Sequence, residues 1–147
     1  ELIELHQSDF VPFKNNAANY LGMTAHILYK NIDPNQIATF SKSLIKKTIR
    51  EEIGFKGLLM TDDISMKAIK LNPEDAADKA LAAGCDLVLH CNGKINEMNR
   101  IADKINSKYE LITSSKELEN IFNNEINISL REAELKFNES LNQADLI

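Results

Sequence analysis

The chain has 147 residues, 44% hydrophobic and 27% charged, a composition that fits a folded domain and excludes a disordered segment. Its 22 acidic against 17 basic side chains leave a formal charge of −5, which argues against a nucleic-acid partner. No apolar run approaches the roughly 18 residues of a membrane-spanning helix.

The first residue is Glu1, and Glu1-Leu2-Ile3-Glu4-Leu5 reads like the middle of an element, so the chain is expected to be part of a longer polypeptide. Asp9 is placed to cap a short helix through Phe10 and Phe13, with Pro12 tolerated in its first turn. Residues 21–27, Leu-Gly-Met-Thr-Ala-His-Ile, form a mostly apolar run, the first expected strand. Ser41 then caps a helix whose Leu44, Ile45, Ile49 and Ile53 follow the 3.6-residue period as far as Gly54. Residues 57–61 are the second expected strand, closed by Asp62-Asp63. Asn72-Pro73-Glu74-Asp75 is a helix start in which Asn72 caps, Pro73 sits at the first position and two acids complement the dipole. That helix carries Ala76, Ala77, Ala80 and Leu81 and stops at Gly84.

Residues 85–91 form the third expected strand, and Ile95, Met98, Ile101, Ala102 and Ile105 share one face of the next helix. A further helix is expected around Leu118, Ile121 and Phe122. The last begins at a capping-box pattern, Ser129-x-x-Glu132, and continues through Ala133, Phe137 and Leu141. Strands alternating with helices predict an α/β fold with a parallel sheet. Continuous apolar runs predict strands covered on both faces. A closed barrel and an open doubly wound sheet satisfy the periodicity equally. The expected division is residues 1–112 for the strand–helix units and 113–147 for a helical segment.

Cys85 and Cys91 lie six residues apart along the third expected strand, roughly 20 Å at about 3.3 Å per residue, beyond disulfide reach. No second pair of ligands follows His90 and Cys91 at zinc-finger spacing, so a metal is not expected. Ligands of parallel α/β folds bind at the carboxyl ends of the strands, and here those ends carry His26, Asp62-Asp63 and His90-Cys91. Because side chains alternate, Asp62 shares the face of Leu58 and Met60, while Asp63 points the other way or begins the turn. An Asp at a strand end also serves as a turn former or helix cap, and His26 and His90 also read as hydrogen-bonded core histidines. Neither a glycine-rich phosphate loop nor a Gly-x-Ser-x-Gly elbow is present.

The particular words go further than the pattern. Asp9-Phe10-Val11-Pro12-Phe13-Lys14, Met23-Thr24-Ala25-His26-Ile27, Gly54-Phe55-Lys56-Gly57 leading to Asp62-Asp63-Ile64-Ser65-Met66, and Ala83-Gly84-Cys85-Asp86-Leu87-Val88-Leu89-His90-Cys91 occur in this order. Together they resemble the carboxyl-terminal part of the bacterial β-N-acetylhexosaminidases of glycoside hydrolase family three. The resemblance covers residues 1 to about 110.

It implies the last three strand–helix units of a (β/α)₈ TIM-type barrel. It further implies a cytoplasmic, monomeric parent, active without cofactor in cell-wall recycling. The substrate implied is a small carbohydrate, an N-acetylglucosaminyl muropeptide, with no part for nucleic acid or membrane. The family's nucleophile is the first Asp of the pair, which is Asp62 here, and the substrate-pocket candidates are Met23, His26, Asp63 and His90. The family's sugar-gripping Lys-His and its Asp-x-His acid/base dyad do not occur in these residues. His6 is no substitute, since residue 4 is Glu. The chain by itself is therefore expected to be inactive. The rival reading is a non-catalytic α/β module that binds a partner through the open edges of its sheet.

Overall fold

The computed structural model describes residues 2–109, together with residues 129, 131, 132, 134, 135 and 138. The chain divides into two compact units, Glu1–Leu111 and Ile112–Ile147. In the first, helix α1 (Leu2–Glu4) runs into a π-helical stretch, Leu5–Asp9, and then into helix α2 (Val11–Asn15). Strands β1 (Leu21–Met23) and β2 (Leu58–Met60) follow, with a 3₁₀ turn at Ala38–Phe40 and a π-helix at Leu44–Glu52 between them. Helices α3 (Pro73–Ala83) and α4 (Ile95–Asn106) complete the unit.

Strands β1 and β2 pair in parallel, Leu21 with Leu58, Gly22 with Leu59 and Met23 with Met60. Gly57 lets them meet. A Cβ there would lie 2.4 Å from the carbonyl oxygen of Tyr20, which accepts the Leu58 N–H at 2.8 Å. The third segment joins β2 through one parallel bridge, Met60 to Leu87, instead of the strand expected at residues 85–91. Side chains take over much of its ladder. The Asp86 carboxylate accepts the Leu59 N–H at 2.8 Å, and the Thr61 hydroxyl oxygen accepts the Leu89 N–H at 2.9 Å. Backbone bonds from Asp86 N–H to Leu59 O and from Thr61 N–H to Leu87 O keep the alignment.

Several expectations need correction. Asp9 does not cap α2: the chain is already helical when it reaches Asp9, whose carboxylate accepts the Ser8 hydroxyl at 2.6 Å. Pro12 does sit in the first turn of α2. The first strand stops at Met23 rather than residue 27, Leu21 and Met23 are exposed, and among the described residues β1 pairs with β2 alone. The helix after Ser41 takes π geometry, yet Leu44, Ile45 and Thr48 still form its buried face. Ser41 does what its position predicts, accepting the Leu44 N–H at 3.1 Å while donating to Asp33 Oδ2 at 2.6 Å. Along α4, Ile101 is buried and Ile105 packs against the core, whereas Ile95 and Met98 are exposed.

Helix α3 follows its sequence signals closely. Asn72 Oδ1 accepts the Asp75 N–H at 2.8 Å, Pro73 opens the helix, and Gly84 closes it with φ at 115°. Ala76, Ala77 and Ala80 are fully buried, and side chains this small let the helix lie close against its neighbours. Two apolar clusters result. One gathers Ile45, Phe55, Leu59, Ala80, Ala83 and Cys85, the other Ile64, Ile69, Ala76, Ala77 and Ile101, and Phe40 packs against both.

In the second unit the capping box closes. Ser129 Oγ accepts the Glu132 N–H at 3.3 Å, and Glu132 Oε2 accepts the Ser129 N–H at 2.9 Å. The helix expected around Leu118, Ile121 and Phe122, and the residues Ala133, Phe137 and Leu141, lie outside the described residues.

Candidate active site

Parallel strands share a carboxyl end, and the segments leaving β1, β2 and the Leu87 bridge meet at that edge. Asp62 is half-buried in the bend just beyond β2. Its Oδ1 accepts the N–H of Asp63 at 2.7 Å, and its Oδ2 takes no hydrogen bond from a described residue. One oxygen is thus fixed while the other remains available to a ligand.

Asp63 is the anchor of the edge. Its Oδ1 accepts the N–H and hydroxyl of Ser65 at 2.9 and 2.7 Å and the Cys91 N–H at 3.0 Å. Burial pushes the Asp63 carboxyl up, but the bonds from Ser65 and Cys91 and the charge of His90 outweigh it and hold the group below its ordinary value. The Asp63 carbonyl oxygen accepts a hydrogen bond from His26 Nε2 at 3.0 Å. At the other side of the ring, His26 Nδ1 lies 2.8 Å from the buried Thr39 hydroxyl.

His90 stands on the third segment with its Nε2 3.2 Å from Glu97 Oε2 and its Nδ1 buried without a hydrogen-bond partner among the described residues. Hydrogen bonds from Asn92, Lys94 and His90 hold Glu97 down to about 2. Cys91 is exposed beside this cluster, whereas burial pushes the Cys85 thiol up to about 12, making it inert as a nucleophile near neutrality. His6 is elsewhere, 3.7 Å from Glu52 and edge-on to Phe10.

The structure therefore brings His26, Asp62, Asp63 and His90 to one edge, linked through Asp63. Met23 stands beside Met60 in the β1–β2 pairing, two residues before Asp62. It also lines an apolar cavity of about 490 Å³ with Phe10, Phe13, Leu21 and Phe55, whose wall contains no carboxylate and no histidine among the described residues. Sequence reasoning passed over Thr39, Glu97 and the role of Ser65. The Asp-x-Ser spacing is a turn signal that points to Ser65, whereas nothing local marks Thr39.

Comparison with known proteins supplies the family. The pattern of the glycosyl hydrolase family 3 N-terminal domain matches residues 1–121. A beta-hexosaminidase of Nitrosospira multiformis is 40% identical over 93 residues, covering 60% of this chain and 26% of that protein. One from Pseudomonas aeruginosa is 38% identical over 96 residues, covering 63% of this chain and 29% of its own length. The chain thus spans under a third of each of these two relatives. Among solved structures, NagZ from Neisseria gonorrhoeae superposes with a TM-score of 0.61 at 31% identity, over 70% of this chain and 29% of that one. Beta-N-acetylhexosaminidase from Beutenbergia cavernae gives a TM-score of 0.54 at 31% identity, over 60% of this chain and 27% of that one. Motif order, the parallel strand pairing and these matches converge: the chain belongs to glycosyl hydrolase family 3, within that family's N-terminal domain.

Proposed function

We propose that the chain carries the nucleophile of a retaining β-N-acetylglucosaminidase. In this reading, Asp62 attacks the anomeric carbon of a terminal N-acetylglucosamine, the bond to the leaving oxygen breaks, and water later releases the sugar from the ester. The observation that carries the proposal is the state of Asp62: an oriented carboxylate at a strand's carboxyl end, with one oxygen pinned by the next N–H and the other without a donor among the described residues.

The proton for the leaving group comes, in this proposal, from beyond these residues. A general acid needs a raised pKa. Asp63 is held low by its donors and Glu97 lies at about 2, so both stay ionised near neutrality. The naming of the relatives as beta-hexosaminidases supports an N-acetylhexosaminide as substrate. We assign that substrate to peptidoglycan-derived muropeptides, handled in the cytoplasm by a monomer that uses neither metal nor organic cofactor. In the same reading the three edge segments are the last strand–helix units of a (β/α)₈ barrel.

The test is hydrolysis of 4-nitrophenyl N-acetyl-β-glucosaminide by the full-length polypeptide and its Asp62→Ala variant. The variant is expected to keep the wild-type thermal midpoint and to lose at least about 10³-fold in kcat, the scale on which loss of a covalent catalyst is felt. Wild-type turnover in Asp62→Ala removes the assignment.

A further inference from the structure

We infer that His26 is a positioning residue for the nucleophile, fixing Asp62 through the backbone of Asp63. This rests on the reading of Asp62 as the attacking carboxylate. The chain of contacts is short. His26 Nε2 donates to the Asp63 carbonyl at 3.0 Å, and the Asp63 N–H holds Asp62 Oδ1 at 2.7 Å. Asp63 is thereby held at its carbonyl by His26, at its carboxylate by Ser65 and Cys91, and its N–H is left aimed at the reacting group.

The proton count fixes the ring. A carbonyl oxygen only accepts, so Nε2 carries a hydrogen and Nδ1 faces Thr39. The Thr39 hydroxyl has one hydrogen and three neighbours: Nδ1 at 2.8 Å, Thr24 Oγ1 at 3.0 Å and Ala25 O at 3.1 Å. With a neutral ring, Thr39 donates to Nδ1. With a charged ring, Nδ1 donates to Thr39 and the hydroxyl hydrogen turns to Ala25 O. The bond to Asp63 survives in both states, so the ring holds the site without exchanging a proton with it.

Thr39 and Thr24 are both buried, which keeps the anchor of the ring out of water. The 3₁₀ turn that carries Thr39 is itself tied to the segment after β1 by the Ala38 N–H to Ile27 O bond at 2.8 Å. His26 therefore couples the ends of two neighbouring strands at the point where the nucleophile leaves the sheet.

The experiment compares His26→Ala, His26→Gln, Thr39→Val and Asp62→Ala with wild type in the full-length polypeptide, recording thermal midpoint, kcat, KM and the pH profile on 4-nitrophenyl N-acetyl-β-glucosaminide. His26→Ala is expected to lower kcat roughly 10- to 100-fold, the scale of an ångström-level misplacement, with KM within about twofold. His26→Gln, which keeps a side-chain donor for the Asp63 carbonyl, is expected to recover part of that loss with the limbs of the pH profile unmoved. Where His26→Ala fails to fold, His26→Gln and Thr39→Val decide by the same kcat-against-KM split. A kcat within twofold of wild type in the folded His26 variants, a loss confined to KM, or a displaced pH limb overturns the inference. Asp62→Ala separates the two claims, because its retained activity condemns the nucleophile assignment whatever His26 does.

Discussion

Asp86 shows how one side chain stands in for a strand. Its Oδ2 accepts the Leu59 N–H at 2.8 Å and the Arg50 guanidinium at 2.6 Å. Arg50 in turn donates to the carbonyls of Phe55 and Gly57 and lies 5.4 Å from the centre of the Phe55 ring. The carboxylate thus joins the π-helix, the approach to β2 and the third segment. Removing it in Asp86→Ala strands a ladder N–H and a partly buried cation, a loss of about 1–3 kcal/mol. Asp86→Asn, which keeps an acceptor for Leu59 but not the charge, is expected to lose less. Chemical denaturation of the three proteins checks the order, and equal stability of Asp86→Ala and wild type contradicts it.

At the scale of elements, the start of α4 is expected to respond to acid. Glu97 accepts from Asn92 Nδ2 at 2.7 Å and from Lys94 Nζ at 3.2 Å, and its pKa is held down to about 2. A carboxyl lowered in the folded state contributes stability that is complete above its unfolded value, about 4.3, and is lost as pH falls toward 2. The protection factors of the amides across residues 92–98, exchange rates divided into their intrinsic values at each pH, are therefore expected to fall between about pH 4.3 and pH 2. Glu97→Gln should be nearly flat over that window. Matching pH dependence in both proteins tells against this source of order.

The elements most legible in the sequence were those whose signals are local. Asn72, Pro73 and Gly84 delimit α3 because a cap, a fixed φ and a left-handed residue each act within a few positions. Ser129 and Glu132 meet for the same reason. The third strand is not legible because an apolar run says nothing about its ladder partners, and here the Asp86 carboxylate answers the Leu59 N–H while the Thr61 hydroxyl answers the Leu89 N–H. The π-helix escaped because over a few turns its apolar face resembles that of an α-helix. For His26, a choice between core and catalytic histidine is too narrow, since its two nitrogens join Thr39 to the carbonyl of Asp63, the residue after Asp62. Only the tertiary pairing of β1 with β2 creates that role.

For the whole molecule, the parallel β1–β2 pair and the bridge at Leu87 bring the Asp-Asp pair and two histidines to a single edge. Met23, grouped with them on the sequence, pairs with Met60 two residues before Asp62 and also lines an apolar cavity. Among the described residues, no helix is long and apolar enough to cross a membrane. Motif order and the match over residues 1–121 place the chain in its family, while the proposed chemistry rests on one carboxylate. The most direct measurement is mass spectrometry of the full-length polypeptide after exposure to a fluorinated N-acetylglucosaminyl donor that forms the glycosyl-enzyme faster than it hydrolyses. The expected product carries one sugar, esterified to Asp62 in the peptide that contains it. A sugar on any other residue, or a turned-over donor with no covalent adduct, contradicts it.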